Sequence, residues 1–203
     1  MEDKKMSEQE SLELISQVIR DSRKSVAYKA GSFSLIWGYI TVIVSLLVYT
    51  GFALTGYHEV AWLWFLIPVG GCLAMWRLGL SQKSLKRTYF DRVINQVWMV
   101  LGLVGWGLSV ACVLLPGTFS ILFLISLIMS MGVTLTGCIA SYKTYIGFGI
   151  TGILLSFLCL VVKGEEQILI FAAIFVIMMI IPGHLLNRDV PREQVLNEKK
   201  QYV

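Results

Sequence analysis

Ile168–Leu186 reads ILIFAAIFVIMMIIPGHLL, nineteen residues without a formal charge. About 20 apolar residues, at a rise of about 1.5 Å each, carry an α-helix across a hydrocarbon core. A barrel strand would be about half as long and would alternate polar with apolar residues. Unbroken apolarity therefore selects a helix, which satisfies its own backbone groups where water is absent. Working outward, five more runs of the same kind appear at Phe33–Leu54, Val60–Leu78, Val97–Leu115, Phe119–Ala140 and Tyr145–Val162. The joints Thr55–Glu59, Pro116–Thr118 and Lys163–Gln167 are short and rich in Gly, Pro and charge, as turns require. The reading is an all-α polytopic membrane protein with six transmembrane helices arranged as three hairpins.

Composition agrees. Of 203 residues, 56 % are hydrophobic and 15 % charged, against about 45–50 % and 25 % in soluble domains. That excludes a soluble enzyme, a disordered tail and a disulfide scaffold. The net charge of +4 has a topological origin. With the N-terminus inside, sixteen Lys and Arg fall on the inner side and only Lys163 outside. This bias predicts both termini in the cytoplasm. It also accounts for the basic balance without nucleic acid, so the bilayer is the expected partner.

Residues 1–30 read as a cytoplasmic amphipathic helix, 31–188 as the six-helix domain and 189–203 as a cytoplasmic tail. The N-terminal stretch carries scattered acids and lacks the apolar core of a cleavable signal. Ser7 and Glu10 stand in capping-box spacing. At 100° per residue Leu12, Ile15, Val18, Ile19 and Val26, with Leu14, share one stripe, and Glu13, Arg20, Arg23 and Lys24 lie opposite. Such a stripe suits the inner leaflet or a docked protein, and is the candidate docking face.

Glycines suggest an internal repeat. Gly38, Gly107 and Gly149 each follow an aromatic residue in an odd helix, and Gly71, Gly137 and Gly183 close the even ones. The separations are 33, 30 and 34 residues, as expected for hairpins related by a pseudo-threefold axis. Gly147–Gly152 spells G-x-G-x-x-G, but a dinucleotide fingerprint needs a strand before it and a helix after. Inside an apolar helix the same glycines let neighbours approach, as do Gly70/Ala74, Gly105/Ser109 and Gly132/Thr136. A homo-oligomer contact is a second use of such pairs.

Chemistry is sparse. Cys72, Cys112, Cys138 and Cys159 lie apart within apolar runs, and His58 and His184 fall at distant joints. No metal site or cofactor is expected from them. No nucleophile stands near a base, and no Asp, Glu or Arg lies at mid-depth, where ion-coupled transport leaves one. His184 and Arg77 remain as polar candidates near the inner ends. Thr41, Ser45, Ser126, Ser130, Thr134 and Ser156 are the polar content of the crossings. Pro68 with Gly70 and Gly71, and Pro182 with Gly183, are candidate hinges, Pro68 marking a discontinuous helix near the middle of its crossing. Trp62, Trp64, Trp76 and Trp98 read as interfacial anchors, Trp37 and Trp106 as packing partners of adjacent glycines.

The Phe33–Gly38 start, the Leu66–Gly71 stretch and the Ile180–Leu186 end resemble those of small bacterial six-helix integral membrane proteins without an assigned activity. The resemblance implies a bacterial inner-membrane location and adds no chemistry. The hairpin plan is also similar to that of mitochondrial carriers, but their Pro-x-acidic-x-x-basic signature is absent here. The expectation is a non-enzymatic protein with a signalling, regulatory or partner-scaffolding role on its cytoplasmic face. The alternative is a small permease or flippase for an uncharged or amphipathic solute. A solid bundle would favour the first and a cavity at mid-depth the second.

Overall fold

The computed structural model describes residues 7–81, 89–115 and 117–189. The tail beyond Asp189, expected in the cytoplasm, and residues 82–88 lie outside the described residues. All regular structure among those described is helical. Helix α1 runs from Glu8 to Thr55 without interruption. It begins at the expected capping box: Ser7 Oγ accepts from the Glu10 N–H at 3.2 Å, and Glu10 Oε2 from the Ser7 N–H at 2.8 Å. It ends where Gly56 turns to φ +66° and returns its N–H to the Phe52 carbonyl. The amphipathic stretch and the first apolar run thus form one 48-residue rod, not two elements divided at residues 30 and 31.

A 3₁₀ segment, His58–Phe65, leads into α2, Leu66–Ser81. Then follow α3 (Tyr89–Leu114), α4 (Ile121–Ala140), α5 (Lys143–Ser156) and the short α6 (Leu158–Val161). Helix α7 (Glu166–Phe175) passes through a π-helical turn, Val176–Ile180, into α8 (Ile181–Asp189). Six stretches are long and apolar enough to cross a membrane: Val26–Thr55, Glu59–Arg77, Tyr89–Leu114, Ile121–Ala140, Lys143–Val161 and Glu166–Asp189. The first and third begin seven and eight residues earlier than their apolar runs. Lys29, Asp91 and Arg92 lie in those extra turns, and hydropathy stops at charges even where the helix does not.

Helix α1 is the hub, touching α2, α3, α4, α7, the π turn and α8. Its buried stripe is small: Ala27, Gly31, Ser34, Gly38, Thr41 and Ser45 recur at helical spacing and are all buried. Small side chains let backbones approach where lipid offers no hydrophobic penalty to escape. A Cβ at Gly38 would stand 2.9 Å from Ile180, and one at Gly183 would stand 2.9 Å from Leu35. The pairing of α4 with α5 is as close. A Cβ at Gly149 would meet the Thr134 backbone nitrogen at 2.7 Å, and one at Gly152 would meet Ser130 Oγ at 2.6 Å. Two glycines of the G-x-G-x-x-G string are therefore helix-packing surfaces, and Gly147 faces open space. Between these seams Val133, Phe171, Phe175, Met178 and Met179 fill the interior. Ser45, Ser130, Thr134 and Thr136 donate to carbonyls of their own helices (Thr41, Ser126, Ser130 and Gly132), and Ser130 Oγ also reaches Met178 Sδ at 2.9 Å.

The two prolines behave differently from each other. The break in the second span lies upstream of Pro68, at the 3₁₀-to-α junction between Phe65 and Leu66. Pro68 itself occupies the first turn of α2, where its missing N–H has no intrahelical partner to lose. Pro182 stands inside a continuous span. It cannot donate to the Met178 carbonyl, and the helix widens just before it, with Ile181 N–H bonding to Val176 O. A π turn is a known way to absorb such a mismatch.

The tryptophans also redistribute. Trp62 and Trp76 are exposed near span ends, as anchors would be. Trp64 instead packs edge-on against Phe171, and Trp98 packs inward on Phe33. Trp37 covers Gly71, a glycine of another helix, while Trp106 is 59 % exposed and Gly107 has nothing within 4 Å. Gly38, Gly71, Gly137, Gly149 and Gly183 sit at close approaches, and Gly107 does not.

Candidate functional site

At the end of the bundle that carries the N-terminus, α2 packs on α1 and the 3₁₀ segment, while α3 packs on α4 and α1. The gap leaves an open cavity of about 210 Å³. Helix α1 contributes Val26, Lys29, Ala30 and Phe33, one turn apart on one face, and α3 contributes Asp91, Ile94, Asn95 and Trp98. Met75 of α2, Thr136 of α4 and Tyr145 of α5 complete the wall.

The cavity is graded along the helix axes. At its outer level Lys29 Nζ donates to Asp91 Oδ2 at 2.6 Å, with side chains 23 % and 14 % exposed. Such a partly desolvated pair interacts more strongly than a surface pair. Further along, one turn past Lys29 on α1 and two turns past Asp91 on α3, the Phe33 and Trp98 rings meet at 4.7 Å, inclined by 53°. Trp98 Nε1 donates to Thr136 Oγ1 at 3.1 Å, which satisfies its one polar atom. Behind them Tyr145 is buried, its hydroxyl bonded to Ser34 Oγ, and it closes the floor toward the packed interior.

Beside this site, the turn between α4 and α5 is tied to the end of α8. Ser141 adopts the left-handed region at φ +56°, and the Tyr142 N–H returns to the Gly137 carbonyl at 3.0 Å, a Schellman-type closure. The Tyr142 hydroxyl donates to Asp189 Oδ2. Burial, then this bond and the carboxylate's charge, push the Tyr142 phenol up to about 12. At the opposite end Gln167 Nε2 donates to Ser120 Oγ at 2.7 Å and to the Cys159 carbonyl, joining α4, α6 and α7.

Of the residues singled out from sequence, Val26 lines the cavity and is buried. The rest of that stripe is not docked: Leu12 and Ile15 are 65 % and 56 % exposed, and Leu14, Val18 and Ile19 are exposed as well. His184 is exposed and pairs with Tyr39, Nε2 to hydroxyl at 2.9 Å with the rings edge-to-face. Arg77 is exposed at its span's end. Gly70 lies against Ile40, Gly71 under Trp37, and Pro182 and Gly183 are buried on α1. None of the four lines the cavity. Among the described residues no group of three or more His, Cys, Asp or Glu is placed to hold a metal ion.

Sequence reading missed the Lys29–Asp91 pair and the Phe33–Trp98 wall. The available signal was weak: one cation and one anion, each just inside the end of an apolar helix, 62 positions apart. Comparison with known protein families, curated proteins and solved structures finds no match to the chain.

Proposed function

We propose that the chain is a multi-pass protein of the bacterial inner membrane, with both termini cytoplasmic and its spans paired as three hairpins. Its role is non-enzymatic: it receives or passes a signal, or supports a partner, through the cytoplasmic face. The observation that carries this reading is the continuity of α1. One rod holds Lys29 in the cavity wall and then runs on to the exposed stripe of Leu12, Leu14, Ile15, Val18 and Ile19. A helix collinear with a membrane span projects its stripe away from the bilayer, so a protein surface suits it better than the leaflet does. Any shift of α1 at the cavity reaches that stripe without a joint to absorb it. The glycine repeat is supported at Gly38, Gly71, Gly137, Gly149 and Gly183, and not at Gly107.

The second reading, a small permease or flippase, draws support from the cavity, which is open and mainly apolar. Against it, the cavity lies at one end of the bundle. The core beyond Tyr145 is filled, and its Ser and Thr hydroxyls are engaged by their own helices. Purification in mild detergent separates the two. The expected result is a co-purifying protein that is lost in the Ile15→Asp, Ile19→Asp double variant while the chain still inserts. Each of those side chains is worth roughly 1.5–3 kcal/mol when fully buried. Recovery of one tightly held solute and no protein overturns the reading. Reporter fusions at Lys163–Gln167 and at the C-terminus test the topology, and finding both on one side of the membrane would reject it.

A further inference from the structure

The bare stripe at the start of α1 carries a reading of its own. We propose that residues 190–203 of the same chain lie antiparallel on it, from Val26 to Leu12. The surface offered to a partner is then covered by the chain itself until the partner displaces it. The inference concerns the same stripe as the function proposed above but does not require that partner.

Position and direction come first. The described residues end at Asp189. There the Tyr142 hydroxyl donates to Asp189 Oδ2, and Tyr145, three residues on, lines the cavity with Val26, the innermost residue of the stripe. The segment therefore departs from the foot of the stripe. Helix α8 runs antiparallel to α1: a Cβ at Gly38 would stand 2.9 Å from Ile180, one at Gly183 would stand 2.9 Å from Leu35, and one at Gly31 would stand 2.5 Å from Asn187 Oδ1. Each step toward Asp189 is thus a step back toward the start of α1, and residues past it head along the stripe. Fourteen residues in a helix rise about 21 Å, as do the fourteen steps from Val26 back to Leu12. Helix α8 itself seats on Gly31 and Gly38, about 120–140° around α1 from Val26. Pro191 allows the change of face, because it cannot continue the α8 hydrogen bonding and keeps the residue before it out of the α region.

Composition selects the occupant. Val195 with Leu196 and Tyr202 with Val203 form two apolar pairs seven positions apart, on one side of a helix of two turns. Leu12, Ile19 and Val26 have the same spacing. Laid antiparallel, Val195 comes opposite Ile19 and Tyr202 opposite Leu12. Arg192 and Lys199 fall on that side too, and long stems of this kind cover apolar surface while their charges reach the edge. The same register brings Glu193 between the levels of Arg20 and Arg23, and Lys199 and Lys200 to the level of Glu13, a turn from Glu10; these acids and arginines of α1 are exposed. A second copy projecting from the same membrane would instead lie parallel and set Glu8, Glu10 and Glu13 against their equals, which repel.

Cysteine pairs in the full-length chain in detergent test the contact. Ile19→Cys with Val195→Cys, and Leu12→Cys with Tyr202→Cys, should each form a disulfide under mild oxidation, read as a linked peptide by mass spectrometry. Leu12→Cys with Val195→Cys is out of register by seven positions, about 10 Å and beyond the reach of a disulfide, and should stay unlinked. Equal linkage of all three pairs, or linkage of none, overturns the proposal. Mixing chains of natural and heavy nitrogen identifies the source: linked peptides of one isotope support it, and peptides joining two isotopes assign the stripe to a second copy and overturn it. A second measurement needs no disulfide. Ile15→Cys, with the wild type as blank for the native cysteines, should react with a water-soluble maleimide about tenfold faster when the chain is ended after Asp189, with helix content unchanged. Equal rates overturn the proposal. Linkage without any co-purifying protein supports the covering and rejects the proposed partner. A partner held equally by the full and shortened chains, without linkage, rejects the covering alone.

Discussion

The sixth span and the third are both long and apolar enough to cross a membrane, and they have opposite fates. Half of the most apolar window of Glu166–Asp189 is buried inside the bundle, against 6 % for Tyr89–Leu114 and 6 % for Glu59–Arg77. Hydropathy alone does not set this: Ile121–Ala140 equals Tyr89–Leu114 in hydropathy, yet a third of its window is buried. The small residues differ. Gly31 and Gly38 of α1 let the sixth span approach to backbone distance, and Gly149 and Gly152 do the same between α5 and its neighbours. Gly102 and Gly107 of α3 meet nothing within 4 Å. Close approach at small residues accompanies burial here, and its absence accompanies exposure. The two loosely packed helices are also the ones that leave the cavity between them.

The strongest way to break that contrast is a pair of substitutions. Gly149→Val drives a side chain into the Thr134 backbone and should cost about 3 kcal/mol, the upper end of overpacking. Gly107→Val on the open face should change stability by less than about 0.5 kcal/mol. Thermal unfolding in detergent, followed by size-exclusion, reads both, and equal losses would end the distinction. A smaller effect is expected at the floor of the cavity. Tyr145→Phe leaves Ser34 Oγ buried without its partner and should cost about 1–2 kcal/mol in the same assay.

At the α4–α5 turn, Ser141→Gly should stabilise by about 0.5–1 kcal/mol, since glycine adopts the left-handed region freely. The smallest effect is a pH dependence beside it. The Tyr142 phenol is held at about 12 in the folded chain, above its ordinary value of 10.0. Its neutral form is favoured by folding, so its contribution is complete below pH 10. It is lost progressively as pH rises toward 12, because the unfolded chain ionises first. Comparing the alkaline slope of unfolding between the wild type and Tyr142→Phe measures it. An identical slope would show that the Asp189 contact contributes nothing.

Much of this architecture is written locally. The six apolar runs, the Ser7–Glu10 cap, the Gly and Pro joints and the packing use of Gly149 and Gly152 follow from residues within a few positions of one another, because helix periodicity and capping act over one or two turns. Three-dimensional packing alone decided the rest. Nothing adjacent to Gly31 tells whether α1 breaks there; close contact with Asn187 and Leu186 of α8 accompanies a helix that runs straight through. Trp98 and Trp106 are both tryptophans of α3, two turns apart, yet one turns inward to Phe33 and Thr136 and the other outward. Lys29 and Asp91 look like ordinary charges at helix ends until two helices far apart in the chain bring them to 2.6 Å. Local periodicity specifies a helix, but in an apolar surround it does not specify which face the helix buries, and the cavity exists only in that choice.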